Sequence, residues 1–172
     1  NVFNFHKDGS VSVDPVLCHR ETKKEVGNNI MMFYTAMKRD ANEILKKQKA
    51  RMNDKHHVLV GIKNLVEPLL NIFSTGSNLS EIGGLLHEGW ELKRSITEEI
   101  SSPEIDGYYE KALKAGALGG KLLGAGGGGF LLLYVEPQNQ QAVAESLSEL
   151  YQLPFGFDNV GSQITYYDQP LM

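Results

Sequence analysis

An α+β fold is what this sequence predicts, and three observations carry that reading. Strand-like segments gather toward the two ends of the chain, a block of amphipathic helical segments fills the middle, and the strict alternation of single strands and helices that marks a doubly wound sheet is missing. The expected architecture is therefore an antiparallel or mixed sheet with helices packed on one face. Composition agrees: of 172 residues 41% are hydrophobic and 22% charged, and the net charge is only -4. That is ordinary globular usage, too apolar and too weakly charged for a disordered chain.

The opening segment NVFNFHKDGSVSVDPV reads as two short strands, with Val11 and Val13 on one face and a turn at Lys7-Asp8-Gly9, where Asp-Gly supplies the positive φ of a tight hairpin. An apolar run of strand length, Ile30 to Tyr34, follows. Near Arg39 the periodicity changes, and Asp40 to Met52 reads as a charged amphipathic helix with Ile44 and Leu45 inward. Residues 56 to 73 carry Leu59, Ile62, Leu65 or Val66, Leu69 and Phe73 at helical spacing, with a kink or restart expected at Pro68. The segment STGSN (74–78) is a turn. A third helix is expected in LSEIGGLLHEGWELKRSIT, with Asn78 and Glu81 as its capping pair and Ile82, Leu85, Leu86, Trp90 or Gly89, the Lys93 stem and Ile96 as its stripe. Ser102-Pro103-Glu104 combines three helix-start preferences, and the helix it opens should stop at Gly116. FLLLYV (130–135) has the continuous apolarity of a buried central strand. A helix from about Gln138 to Leu150 and a last strand QITYYD (163–168) complete the order.

Several functions are excluded or made improbable by composition. The single cysteine, Cys18, forbids an internal disulfide or a Cys-rich zinc site and agrees with a reducing compartment. A pI near 5.7 speaks against a nucleic-acid partner. No uninterrupted apolar run approaches the roughly 20 residues of a bilayer span, and the N-terminus lacks the basic start and apolar centre of a signal peptide, so a soluble cytoplasmic protein without membrane contact is expected. Because the chain opens on Asn1 rather than Met and runs directly into strand-like sequence, it is expected to be part of a longer protein.

Glycine is the compositional anomaly, since eight of the 18 glycines lie between Gly116 and Gly129. Gly124, Gly126 and Gly129 have formal G-x-G-x-x-G spacing, but the segment enters a strand, whereas a dinucleotide fingerprint leaves a strand and enters a helix. A G-x-x-x-x-G-K-S/T phosphate loop is absent because Phe130 and Leu131 follow Gly129. A protein-kinase glycine loop has the right strand context, but the 43 residues after Gly129 contain no V-A-I-K, H-R-D or D-F-G element. What survives is physical: consecutive glycines expose backbone N–H groups without side chains in the way, so an anion or another backbone can approach closely.

The stretch GALGGKLLGAGGGGFLLLYV resembles the third conserved motif of the GHMP kinases, the superfamily of galactokinase, homoserine kinase, mevalonate kinase and phosphomevalonate kinase. LLHEGWELKRSITEEISSPEID, FYTAMKRDANEIL and GSQITYYD resemble the branch acting on D-glycero-D-manno-heptose 7-phosphate, so the likeness covers most of the chain. It implies that residues 1–172 are a ferredoxin-like C-terminal domain, with strands in 1–37 that lie toward the interdomain region. It implies further that the whole enzyme uses ATP and Mg2+ to phosphorylate the anomeric hydroxyl of heptose 7-phosphate. The family's main phosphate loop and catalytic acid belong to an N-terminal domain, so no catalytic residue and no metal ligand is expected within this chain, and the fragment alone should be inactive. Two positions depart from the pattern: Ala36 stands where Gly is expected, and Leu123 where the mevalonate-kinase branch has Thr.

The resemblance assigns Gly124, Ala125, Gly126, Gly127, Gly128 and Gly129 to a backbone surface facing nucleotide phosphate or sugar oxygens. Lys121 would direct an ammonium at the same cleft, a flexible point charge suited to phosphate; a solvated lysine is its plain alternative. Trp90 and Lys93, three residues apart on a helix, would hold a sugar face and a hydroxyl or phosphate together with Arg94, against the alternative of a buried indole beside solvated cations. His87 and Glu91, at i and i+4, pair with substrate or with each other. Arg39, at a strand end, is a further substrate-facing candidate. A free-standing small-molecule or protein-binding module of the same fold, without catalysis, is the competing function.

Overall fold

The computed structural model describes residues 1–37, 40–158 and 161–166. The chain begins with an antiparallel hairpin, β1 (Val2–Phe5) and β2 (Val11–Asp14), which forms a two-stranded sheet of its own. Its turn is fixed by Gly9 at φ 86° and by Asp8, whose carboxylate accepts from Ser10 N–H and Oγ at 2.9 and 2.7 Å. Phe3 opposes Val13 and Phe5 opposes Val11, so these four share a face, and that face is exposed. Helix α1 (Arg20–Asn28) had no counterpart in the sequence reading. Only Thr22 and Val26 of it are buried, a stripe too short to show periodicity.

After β3 (Ile30–Tyr34) comes Ala36 at φ 56°, left-handed backbone that favours glycine. The glycine expected at this position thus has a conformational reason, and alanine bears the strain. Helix α2 (Ala41–Arg51) is capped by the Asp40 carboxylate, which accepts from Asn42 N–H. Ile44 is buried as expected, whereas Leu45 is 50% exposed and not an inward residue.

Helices α3 (His56–Asn64) and α4 (Val66–Thr75) meet at Leu65, three residues before Pro68. Proline lacks the N–H that would bond to Asn64 and its ring crowds that carbonyl, so the break falls upstream of it. Among the described residues, this 56–75 segment is long and apolar enough by composition to span a bilayer, but it is interrupted by Lys63 and Glu67 and only 11% of its apolar window is buried. The residues buried on it are Val58 and Ile72, each one position off the expected stripe.

Gly76, at φ 68°, ends α4. Helix α5 (Glu81–Arg94) starts after Ser80, without a side-chain cap; Asn78 contributes its carbonyl to Glu81 N–H, not the expected capping side chain. A 3-10 turn, Glu98–Ile100, precedes α6 (Pro103–Lys114), whose cap Ser102 Oγ accepts from Ile105 N–H and whose end is followed by Gly116 at φ 106°.

Strands β4 (Gly119–Leu122) and β5 (Phe130–Tyr134), helix α7 (Gln140–Ser146) and strand β6 (Tyr151–Leu153) complete the order. Strand β4 was hidden in the glycine segment. The last strand is also corrected: residues 163–166 form no strand, 167–168 lie outside the described residues, and Tyr151–Leu153 takes the edge instead. Helix α7 is correspondingly shorter than expected.

The main sheet has the order β4-β5-β3-β6, and each pairing is antiparallel. Counting only these strands, the order is 2-3-1-4, the ferredoxin-like arrangement. Register places Phe33 opposite Leu131 and Met31 opposite Leu133, and Leu122 opposite Leu131. This face is buried against Ile105, Tyr109 and Ala112 of α6 and Val143 of α7. A smaller cluster joins Tyr134 to Val26, Ile72, Leu79 and Ile82.

Helix α5 packs on the edge strand β4 at backbone distance. A Cβ on Gly83 would lie 2.4 Å from Leu118 Cβ, and one on Gly119 would lie 2.0 Å from the Gly83 carbonyl oxygen. Only glycine permits this approach. We therefore expect Gly83→Ala to destabilise the fold by about 1–3 kcal/mol through overpacking, while Gly84→Ala, with nothing within 4 Å, stabilises it by up to ~1 kcal/mol through helix propensity. Urea denaturation of the two variants checks this. The same experiment on Ala36→Gly should show a gain of about 1 kcal/mol, because the left-handed backbone ceases to be strained.

Candidate functional site

The segment between β4 and β5 is an irregular loop in which Gly124, Gly126, Gly127, Gly128 and Gly129 all have positive φ, from 71° to 159°. Four separate parts of the chain hold it. Thr35, after β3, holds Gly129 by three bonds: its Oγ accepts from the Gly129 N–H at 3.1 Å and donates to the Gly129 carbonyl at 3.0 Å, and its N–H donates to the same carbonyl at 2.9 Å. Gln48 of α2 donates to the Ala125 carbonyl at 3.0 Å. Gly127 N–H donates to the Ile100 carbonyl at 2.8 Å, and Lys93, in the last turn of α5, donates to the Gly124 carbonyl at 2.6 Å. Two holders are tied together in turn, since Lys47 of α2 pairs with Glu99 at 2.8 Å; hydrogen bonds from Lys47 and Thr97 hold the Glu99 carboxyl at about 2.

The glycines divide by role. At Gly126 a Cβ would meet the Ile100 carbonyl oxygen at 2.7 Å, and at Gly128 the Met37 carbonyl oxygen at 2.4 Å, so these two are required by packing. At Gly124 nothing lies within 4 Å, and the residue is exposed. The N–H groups of Gly124, Ala125, Gly126 and Gly128 have no hydrogen-bond partner among the described residues. Most of the hydrogen bonds that hold the loop take its carbonyls, which leaves backbone donors over. Such a run of unpaired N–H groups is an anion receptor in the making.

Two cations stand beside it. Lys93 and Lys121 line one cavity with Ile62, Leu65, Val66, Leu69, Leu85, Leu86 and Gly89. Burial, reinforced by the neighbouring Lys121 charge, holds the Lys93 ammonium below the ordinary lysine value. Among the described residues neither lysine forms an ion pair. Unpaired like charges beside a low-dielectric wall favour an incoming anion.

The other expected site residues stand elsewhere. Trp90 is 1% exposed and belongs to the main core, so no sugar ring reaches its face in this structure; its buried Nε1 has no partner among the described residues. Helical spacing put Trp90 beside Lys93 but left open which side of the helix faces inward. Arg94 is committed to Glu91 at 2.8 Å and Asp106 at 3.0 Å. Burial opposes its charge, but the two carboxylates hold the guanidinium above its usual value. His87 does not meet Glu91; its Nδ1 lies 2.8 Å from the Tyr109 hydroxyl. Arg39 lies outside the described residues. Thr35 and Gln48, which position the loop, carried no signal in sequence because their partners are 94 and 77 residues away.

For phosphate the fit is good: unpaired N–H donors and two ammonium groups. For Mg2+ it is not, since no group of three His, Cys, Asp or Glu side chains comes together among the described residues. If Thr35 is what fixes the loop, Thr35→Val should cost about 1–3 kcal/mol by leaving the half-buried Gly129 N–H unpaired, while the Gly129 carbonyl keeps its bond from the Thr35 N–H. It should also speed exchange of the Gly129 and Gly127 amides, the two in 124–129 that donate hydrogen bonds, whereas Thr35→Ser keeps both. Hydrogen-exchange mass spectrometry reads the difference.

Comparison with known proteins places this geometry in context. The family described as GHMP kinases C terminal matches residues 62–153, more than half of the chain. D-glycero-alpha-D-manno-heptose 7-phosphate kinase of Campylobacter jejuni subsp. jejuni serotype O:2 is 24% identical over 169 residues, covering 94% of this chain and 48% of that protein. The chain therefore spans about half the length of this relative. Among solved structures, mevalonate kinase of Methanococcus jannaschii superposes with a TM-score of 0.70 at 21% identity, over 90% of this chain and 46% of that one. A D-glycero-D-manno-heptose 1-phosphate kinase of Bacteriodes thetaiotaomicron gives 0.60 at 22% identity, over 89% and 40%. The antiparallel sheet and the helices on it are those of a GHMP kinase C-terminal domain, and to that family this chain belongs.

Proposed function

We propose that this chain is the C-terminal half of an ATP-dependent sugar-phosphate kinase whose acceptor is the anomeric hydroxyl of D-glycero-D-manno-heptose 7-phosphate. The observation that carries the reading is the loop 124–129, with four N–H groups unpaired among the described residues and, at the cavity beside it, Lys93 and Lys121, neither of which forms an ion pair among the described residues. The Campylobacter jejuni relative, by its name, acts on that heptose phosphate. In the reaction a bond forms between the acceptor oxygen and the γ-phosphorus, the bond from that phosphorus to the β,γ-bridging oxygen breaks, ADP leaves, and the acceptor's proton passes to a base.

In this reading the chain stabilises and positions; it does not take the proton. Backbone N–H groups fixed before the reaction offer hydrogen bonds to phosphoryl oxygens as charge redistributes over them, without reorganising. Lys121 and Lys93 hold a phosphate as point charges. The acid or base, the Mg2+ ligands and the remaining phosphate contacts come from the other half of the polypeptide, in the same cytoplasmic setting.

The test is ADP release in a coupled assay. A chain extended to the length of the relatives should turn over ATP with heptose 7-phosphate, and the 172-residue chain alone should not; turnover by the short chain would overturn the division of labour. In the extended enzyme Lys121→Ala should raise KM for a phosphorylated substrate about tenfold or more, the loss of one charge-assisted contact, with a smaller change in kcat.

A further inference from the structure

The cavity that holds Lys93 and Lys121 is not lined like a sugar site. Its volume is about 190 Å³, and apart from the two lysines and Gly89 its walls are Ile62, Leu65, Val66, Leu69, Leu85 and Leu86. No lining side chain offers an acceptor, and the only donors are the two ammonium groups. A polyhydroxylated body seated there would leave the hydroxyls that face these walls unpaired, each costing roughly an order of magnitude in affinity. Hydrocarbon would not.

The walls and the head group point to different halves of one molecule. Six aliphatic side chains, drawn from α3, the α3–α4 junction, α4 and α5, line a space that is partly open to solvent and comparable in size to an apolar cavity of about 150 Å³ that holds benzene. The cations at the same cavity have no counter-ion among the described residues, and one of them is anchored, with Lys93 Nζ 2.6 Å from the Gly124 carbonyl oxygen. That bond links the cavity to the loop, so a ligand that engages Lys93 is felt at Gly124.

We propose that this cavity binds a phosphate monoester with a compact apolar body of roughly four to six carbons, its phosphate on Lys93 and Lys121 and its carbon skeleton against Ile62, Leu69 and Leu86. The ligand is distinct from the polyhydroxylated acceptor, and by occupying both lysines it competes for them with any phosphate presented at the loop. The inference rests on the reading of the two lysines as an anion site but not on the identity of the acceptor.

A ligand series on the 172-residue chain decides it, with binding followed by calorimetry and by methyl chemical shifts. Inorganic phosphate, butyl phosphate and glucose 6-phosphate share the head group and differ in the body. Each buried methylene is worth about fourfold, so butyl phosphate should bind at least ~30-fold tighter than inorganic phosphate and shift the methyl signals of Ile62, Leu69 and Leu86. Gly89→Leu, which fills the cavity from α5 and faces only the flexible Leu65 Cδ1 at 3.3 Å, should abolish that gain and leave inorganic phosphate binding unchanged. Equal affinity for butyl and inorganic phosphate, a preference for glucose 6-phosphate, or an alkyl gain that survives Gly89→Leu would each overturn the proposal while the anion site stands. Loss of all phosphate binding, with Lys121→Ala no different from the parent chain, would overturn both. The ligand series stands without the variant, should Gly89→Leu not fold.

Discussion

Much of this structure depends on how closely one helix backbone approaches one edge strand. Helix α5 lies against β4 with Gly83 facing Leu118 and Gly119 facing the Gly83 carbonyl, at distances that admit no Cβ on either glycine. That contact fixes where the last turn of α5 ends, and therefore where Lys93 stands relative to the loop that leaves β4. Were the helix held out by one methyl group on each side, the 2.6 Å bond from Lys93 to Gly124 would be lost, and with it one of the loop's four supports. Dispersion in a close-packed interior holds such a contact only if the rest of the core permits no alternative. The core supplies that condition through Leu122, Leu131, Leu133, Ile105 and Ala112, all fully buried.

The glycine loop illustrates a general economy of backbone chemistry. A run of glycines is read most simply as flexibility, but here positive φ at five positions, and backbone neighbours so close to two of them that an added Cβ would lie within 3 Å, describe a defined conformation. Rigidity is what an electrostatic site needs, because donors already in place cost no reorganisation when charge arrives. Each support takes a different group of the loop, three of the four bonding a carbonyl. The N–H groups left over are a consequence of that choice of bonds.

Charge placement follows the same logic. Lys47 and Arg94, equally prominent in the sequence, are neutralised by Glu43, Glu99, Glu91 and Asp106 and act as struts between elements. Lys93 and Lys121 have no such partners among the described residues, and Lys93 is depressed by burial. Two lysines held near each other beside an apolar wall are unfavourable unless an anion joins them. The exposed face of the hairpin, with Phe3 and Phe5, and the sparsely buried α3–α4 pair show a further asymmetry: large apolar surfaces lie on a chain that spans about half the length of its Campylobacter jejuni relative.

Local signals settled the local elements. The Asp-Gly turn, the Ile30–Tyr34 and Phe130–Tyr134 strands, the Ser102-Pro103 helix start and the Gly116 stop are each dictated by residues within a few positions, and the sequence showed them. The α+β class and the glycine loop as first suspect were legible for the same reason. Tertiary structure decided what depends on distant partners. Strand β4 exists because Gly120 and Leu122 pair with Leu133 and Leu131, which no propensity of GGKL reveals. The edge beside β3 is taken by Tyr151–Leu153, and residues 163–166 form no strand, an outcome that depends on pairing across the chain. Trp90 and Lys93, neighbours on one helix, were parted into core and cavity by the direction from which the sheet approaches. Spacing along a chain fixes which side chains are adjacent, but only packing across it determines which of them meet solvent, and hence which can bind.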